Sequence, residues 1–366
     1  MKKLNLRLVT DHHLNSGIGR YSFELSNALR KLGHETNLSK PYKRNGDDLY
    51  FDQTYTWVDK IYYKSLKSLH PYLLPYFIGA HLIGKKADVF HAHWFIAGLG
   101  LDKARKKNTV VTMHDVSLLH EIEREGKYIK YYRKAIDTFA REGIPVIVVS
   151  ESAKQDALTY STLKEDQLFT VHNGVNFKQF YPKRETNKTS GPFQVVYAGG
   201  LGPRKNIELL LNACSIMESR GIDYQLKIAG NHPDRTPYPK LARELRLKNV
   251  VFTGFIADEK MNDFYNQAGL FVYTSKYEGF GFAPLEAMAT GTPVISTSGG
   301  SLGEITGGGA RLVEYKQEAV AEAIISLIQD NQARNELARK GTEWVKQYTW
   351  ENCASNTLKI YQKILS

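Results

Sequence analysis

The stretch Leu270-Phe-Val-Tyr-Thr-Ser-Lys-Tyr-Glu-Gly-Phe-Gly-Phe-Ala-Pro-Leu-Glu-Ala-Met-Ala-Thr-Gly-Thr-Pro-Val-Ile-Ser296 decides how the rest of the chain is read. Leu270 to Thr274 and Pro293 to Ser296 have the length and side chains of short buried strands, and Leu285 to Ala289 between them reads as a helix. Strand, helix, strand is the unit from which parallel sheets are built. The connection carries two carboxylates, Glu278 and Glu286, on either side of the bend Gly279-Phe280-Gly281. Ionised carboxylates accept hydrogen bonds from vicinal hydroxyls, and glycines let backbone amides come close to a ligand. Glu286 is expected in the first turn of its helix, where the helix dipole alone would favour it.

Similar runs recur outward from this stretch. Leu6 to Thr10, Val89 to His93, Thr109 to Met113, Val146 to Ser150 and Leu168 to His172 predict strands in the first half. Gln194 to Ala198, Tyr224 to Ala229 and Val250 to Thr253 join the opening stretch in the second half. Helical patterns such as Tyr21 to Leu32, Ile207 to Arg220, Met261 to Gln267 and Ala319 to Gln329 alternate with them. That alternation predicts an α/β chain of two doubly wound, Rossmann-like domains. A polar stretch from Arg184 to Gly191 reads as the linker, placing the domains at 1–187 and 192–349.

Composition bounds the answer. Apolar residues are 42% and charged residues 24% of 366, which excludes a disordered chain. Cys214 and Cys353 stand far apart without metal-ligand spacing, which points to a reducing, cytoplasmic compartment rather than a disulfide scaffold. The opening MKKLNLRLVT reads as a charged entry into a strand, not as a secretory segment. No apolar run reaches bilayer-spanning length, and the longest, Pro71 to Ile83, is broken by proline and histidine.

The formal charge is +11, and residues 1–190 hold 30 Lys and Arg against 20 Asp and Glu. Scattered lysines serve solubility. Between Lys40 and Lys86, however, they are interleaved with tyrosines, Trp57 and phenylalanines, including Lys60, Lys64 and Lys67. That mixture suits an anionic membrane surface, so a peripheral association at the inner face of the membrane is expected. Nucleic acid, which uses the same residue types, ranks lower because no recognisable nucleic-acid module accompanies them.

In doubly wound sheets ligands bind beyond the carboxyl ends of strands. Asn15-Ser-Gly17-Ile-Gly19-Arg20 follows the first strand, and Val196-Tyr-Ala-Gly-Gly-Leu-Gly-Pro-Arg204-Lys205-Asn206 opens the second domain. The second sequence delivers two cations to a predicted helix N-terminus, a combination suited to a diphosphate. His91 and His93 share one side of a strand and could share a ligand. His114, with Asp115, ends an apolar strand where a cleft should begin. No third residue stands at metal-ligand spacing, so no metal site is expected. Two acidic residues alone also fit a glycosidase acid and nucleophile pair, but the basic glycine turn favours an activated phosphate donor.

Together these segments resemble glycosyltransferase family 4, the retaining glycosyl transferases group 1. The resemblance is carried by Glu278 through Glu286 with Gly279, Phe280, Gly281 and Pro284, by Ala287 to Val294, and by Ser16-Gly17-Ile-Gly19. Thr112-Met-His114-Asp115, Val149-Ser150-Glu151, His172 to Asn176, Arg204-Lys205-Asn206 and Gly254-Phe255 extend it in order along nearly the whole chain. The resemblance implies a GT-B fold, two Rossmann-like domains facing across a cleft, with a last helix at 350–366 returning to the first domain after Tyr348-Thr-Trp350-Glu351. It also implies a nucleotide-sugar donor and no prosthetic group.

By the same resemblance Arg204 and Lys205 meet the diphosphate, Glu286 the ribose hydroxyls, Glu278 the donor sugar and His114 the reacting sugar. Gly17 and Gly19 belong to a loop closing on the phosphates. Gly200 departs from the pattern, since many members carry arginine there; Arg204 is read as compensating. The segment Met113 to Leu119 resembles members using mannose donors, which favours GDP-mannose over UDP-sugars. The implied activity is metal-independent, retaining transfer of a hexose to a glycan or lipid-linked saccharide. A nucleotide-sugar epimerase of similar fold, or a non-catalytic carbohydrate-binding protein, are the alternatives, and the oligomeric state is left open.

Overall fold

The structure is a computed structural model in which residues 2–12, 16–39, 70–119, 126–183 and 191–366 are described. The chain divides into two compact units, Met1–Gly174 with Trp350–Ser366, and Val175–Thr349.

The first unit contains β1 (Asn5–Val9), α1 (Gly17–Lys31), β2 (Glu35–Ser39), α2 (His70–Leu82), β3 (Val89–Ala92), α3 (Phe95–Lys103), β4 (Thr109–Met113), α4 (Lys127–Arg141), β5 (Val146–Val148), α5 (Glu151–Tyr160) and β6 (Leu168–Thr170). Its strands form one parallel sheet in the order β2-β1-β3-β4-β5-β6. Every residue of β3, β4 and β5 is buried, as expected for strands covered by helices on both faces. The winding direction changes between β1 and β3, which makes their carboxyl ends the switch point of this sheet.

The second unit contains β7 (Phe193–Ala198), α6 (Ile207–Ser219), β8 (Tyr224–Ala229), α7 (Tyr238–Glu244), β9 (Val250–Gly254), α8 (Asp258–Asn266), β10 (Leu270–Tyr273), α9 (Phe282–Ala289), β11 (Val294–Ser296), α10 (Leu302–Thr306), β12 (Arg311–Leu312), α11 (Gln317–Gln329) and α12 (Asn331–Val345). This sheet is also parallel, in the order β12-β11-β10-β7-β8-β9. Its switch point lies between β7 and β10, the two strands that precede the basic turn and the carboxylate stretch. The last helix, α13 (Trp350–Leu365), belongs to the first unit and packs along α1. Its Tyr361 hydroxyl lies 2.6 Å from Nδ1 of His91, and Lys31 pairs with Glu351 at 3.0 Å.

Several local expectations are corrected. The second unit begins at Val175 rather than near residue 192, because residues 175–183 are stitched to it. Val175 N donates to the Tyr348 carbonyl at 2.9 Å, while Tyr181 N and Lys183 N donate to the side chains of Asn262 and Asn266 on α8. Residues 184–190 of the expected linker lie outside the described residues. Helix α1 starts at Gly17, not Tyr21: Ser16 caps it, its Oγ accepting from Gly19 N at 3.1 Å, so both glycines sit in the first turn. Arg204 and Lys205 precede α6, which starts at Ile207. They occupy a separate 3-10 turn, Pro203–Lys205, cut off from α6 by Asn206 in the left-handed region at φ 54°. Helix α9 likewise starts early, at Phe282, so Glu286 lies beyond its first turn.

Candidate active site

Strand β10 and the segment after it hold the basic turn in place. Lys276 N donates to the Arg204 carbonyl at 2.8 Å, Ser275 Oγ to the same carbonyl at 3.3 Å, and Thr274 Oγ1 to the Asn206 carbonyl at 3.1 Å. The basic turn after β7 and the carboxylate loop after β10 are thereby fixed to one another at the switch point of the sheet. Tyr197 at the end of β7 donates its hydroxyl to the Gly200 carbonyl at 2.8 Å, steadying the glycine turn.

The cations and one carboxylate meet there. Lys205 Nζ donates to Glu278 Oε1 in an ion pair and to Tyr273 Oη at 3.1 Å. The Tyr273 hydroxyl in turn donates to Glu278 Oε1 at 2.9 Å. Arg204 Nη1 donates to the Tyr277 carbonyl at 2.9 Å and lies 3.7 Å from Glu278 Oε2. Glu278 is itself held by its backbone: Ser301 N and Oγ each donate to its carbonyl at 3.0 Å. Gly300, at φ 60°, allows that approach, since a Cβ there would stand 2.5 Å from the Glu278 carbonyl oxygen. Burial and the neighbouring Glu278 carboxylate push the Tyr273 and Tyr197 phenols well above their ordinary value, so both remain neutral hydroxyls.

The other members of the opening stretch are placed differently. Glu286 is half-buried on α9, and its Oε2 accepts from the buried Tyr265 hydroxyl at 3.1 Å. Gly281 takes φ 104° as α9 begins. The Phe280 ring is core, edge-on to Phe282 at 5.2 Å and to Tyr348 at 6.0 Å, while its carbonyl accepts from Ser301 Oγ.

In the first unit the strand ends gather uncharged rings. His91 is engaged at both nitrogens, by the Tyr361 hydroxyl and by Thr112 Oγ1, each at 2.6 Å. The expectation that His91 and His93 share a ligand is therefore corrected: His91 is a satisfied core histidine. His93 Nδ1 lies 2.7 Å from Ser22 Oγ, which donates to the Ile18 carbonyl on α1. His114 packs edge-on against Tyr21 at 4.4 Å between centroids, and its enclosed Nε2 has no hydrogen-bond partner. Burial lowers both His91 and His114 to about 3, with the neighbouring histidines adding to the effect at His114, so both rings are neutral at physiological pH. Gly17 is exposed at the start of α1, with nothing within 4 Å of where a Cβ would stand. Among the described residues no group of three or more His, Cys, Asp or Glu could hold a metal ion.

Sequence reasoning missed Tyr197, Tyr265 and Tyr273. The signal was faint, because a tyrosine inside an apolar run reads as core. Only their positions near strand ends beside the switch point distinguish the hydroxyls of Tyr197 and Tyr273, and Tyr265, on α8, carries no such signal.

Two units, each a parallel, doubly wound six-stranded sheet, are the pair of Rossmann-like domains of the GT-B architecture. The chain belongs to glycosyltransferase family 4: the profile described as Glycosyltransferase Family 4 matches residues 15–179, and that described as Glycosyl transferases group 1 matches residues 180–344. O-antigen chain mannosyltransferase B of Escherichia coli is 27% identical over 271 residues, 70% of this chain and 71% of the relative. The MMP alpha-(1->4)-mannosyltransferase of Mycolicibacterium hassiacum is 28% identical over 237 residues, 62% of this chain and 56% of the relative. Among solved structures, a sucrose-phosphate synthase from Thermosynechococcus elongatus superposes with a TM-score of 0.77 at 22% identity, covering 98% of both chains. Anabaena HepE in complex with UDP and glucose gives a TM-score of 0.77 at 17% identity, over 98% of this chain and 100% of HepE.

Proposed function

We propose that this chain transfers a hexose, with retention at the anomeric carbon, from a nucleotide diphosphate sugar to a glycan or lipid-linked saccharide. The observation that carries the reading is the cluster of Arg204, Lys205 and Glu278 at the switch point of the second unit. Two cations on a rigid turn suit a diphosphate, and charge that grows on the leaving group is stabilised most by cations already in place. Glu286, steadied by Tyr265, takes the ribose hydroxyls. Glu278 takes a sugar hydroxyl on the oxygen nearer Arg204. His114, held neutral, offers Nε2 to a sugar hydroxyl, and the first turn of α1 at Gly17 and Gly19 offers its backbone amides to an anionic group.

The departing phosphate receives the acceptor's proton, so no side chain need serve as general base. Arg204 and Lys205 supply the charge neutralisation a divalent ion would otherwise give. Turnover is therefore expected to be unchanged in excess chelator, and a manganese requirement would contradict this part of the account.

Mannose is the favoured hexose, because mannosyltransferases recur among the sequence relatives, and GDP-mannose is the favoured donor on the resemblance of Met113 to Leu119 to members using mannose donors. UDP-sugars are the alternative to be assayed beside it. An acceptor at the inner face of the membrane agrees with the exposed Tyr72 and Tyr76 of α2 and the Lys103 ammonium over the Tyr76 ring. Lys60, Lys64 and Lys67 lie outside the described residues, and no helix among the described residues is long and apolar enough to cross a membrane.

The test is product analysis. GDP- and UDP-sugars are incubated with polyprenyl-linked and free saccharide acceptors, and the new linkage is assigned by NMR. Retained configuration is the expected result. Inversion, or isomerised sugar without any acceptor, would overturn it in favour of another mechanism or an epimerase.

A further inference from the structure

We propose that Tyr273 is a positioning residue for the donor diphosphate, clamping Lys205 and Glu278 into one unit that leaves a single ammonium hydrogen directed to phosphate. The inference rests on the reading of Lys205 as a diphosphate anchor and adds the residue that aims it.

Lys205 Nζ carries three hydrogens. One goes to Glu278 Oε1 and one to Tyr273 Oη at 3.1 Å, which leaves the third. Lysine is a flexible point charge, and a lysine paired with glutamate alone can rotate about that pair. The tyrosine hydroxyl removes this freedom because it also donates to Glu278 Oε1, at 2.9 Å, closing a triangle of nitrogen, phenol oxygen and carboxylate oxygen. The phenol is buried and neutral, so its proton stays directed at the carboxylate.

The ring is fixed as well as the hydroxyl. Tyr273 stacks on Tyr197 at 5.5 Å and 12°, and on Phe271 at 5.8 Å and 19°. Tyr197 uses its own hydroxyl on the Gly200 carbonyl, so one aromatic stack registers the glycine turn and the cation against each other across β7 and β10. A phenylalanine at 273 would keep the stack and the ion pair and lose only the aim.

The test is titration calorimetry of the full chain with UDP, GDP and the matching nucleosides, using Tyr273→Phe and Lys205→Ala. Tyr273→Phe is expected to weaken the bound nucleoside diphosphate about tenfold, the scale of one hydrogen bond to a charged group. The nucleoside affinity and melting temperature should stay near those of the parent, which a merely structural role would not give. If Tyr273→Phe binds diphosphate normally while Lys205→Ala does not, the anchor stands and the positioning role falls. If neither variant changes diphosphate affinity, the anchor reading falls and takes this inference with it. Should Tyr273→Phe fail to fold, 3-fluorotyrosine at position 273 in the intact protein supplies the second readout. Its fluorine resonance should shift with nucleoside diphosphate and not with nucleoside, and no difference between the two would overturn the proposal.

Discussion

The two sheets use the same parallel, doubly wound construction and equip their strand ends with opposite chemistry. At the ends of β7 and β10 stand Arg204, Lys205, Glu278 and Tyr273, joined by ion pairs and hydrogen bonds, with Tyr197 stacked on Tyr273 and bonded to the Gly200 carbonyl. Beyond β3 and β4 stand neutral imidazoles packed against Tyr21, with His91 fully satisfied and Nε2 of both His93 and His114 without a partner. A charged cluster answers an anion, whereas a neutral cluster of acceptors answers hydroxyls. The difference teaches that this fold fixes where a ligand sits, and that the side chains at the strand ends decide its class.

The comparison breaks most readily at Lys205. Lys205→Ala should lower turnover at least about 100-fold, the scale of losing one preorganised group that stabilises transition-state charge. Near-normal turnover in a steady-state assay would remove the second unit's claim to the leaving group. Glu286→Ala should raise the donor KM about 30-fold with a smaller change in kcat, since it removes hydrogen bonds to a charged acceptor that are made in ground and transition state alike. An effect confined to kcat would place Glu286 at the reacting sugar instead of the ribose.

Acid separates the units by stability. His91 and His114 are held down to about 3 from an ordinary 6.5, so between these values the unfolded chain binds protons that the folded one refuses. Their contribution is complete above pH 6.5 and is lost as pH falls toward 3, by up to about 1.4 kcal/mol per pH unit for a fully buried histidine. Every buried histidine among the described residues lies in the first unit. Hydrogen exchange at pH 7 and pH 4.5 should therefore show the first unit loosening before the second, and uniform loosening would contradict the contrast. The smallest effect is expected at Gly17, where an added Cβ meets nothing within 4 Å. Gly17→Ala should leave stability within about 0.5 kcal/mol and lower turnover about fivefold through the ligand alone. Unchanged turnover would remove α1's first turn from ligand binding.

Much of this was legible in the sequence. The order of strands and helices followed from apolar runs, and Thr109–Met113 and Tyr224–Ala229 have the bounds their patterns predict. Glu35–Ser39 escaped because Leu38 is the only apolar residue in its five positions, and the two-residue Arg311–Leu312 is too short for any period. The site's residue types were visible, but their couplings were not. Arg204 and Lys205 read as a glycine turn leading into a helix, but that Asn206 in the left-handed region sets them on a separate 3-10 turn is a backbone detail no residue pattern announces. Tyr273 read as strand core, which its ring is, and the work of its hydroxyl depends on Lys205 returning from a distant part of the chain. His91 and His93 were paired by strand alternation, but whether an imidazole is satisfied depends on partners such as Tyr361 that only the fold supplies.

The central claim is that the second unit's cations bind the diphosphate of a nucleotide sugar. Titration of GDP-mannose and UDP-sugars into the protein, repeated with Arg204→Ala/Lys205→Ala, tests it most directly. The account predicts saturable binding of one nucleotide sugar and a loss of at least about 100-fold in affinity when both cations are removed. Equal affinity in the two proteins would contradict it.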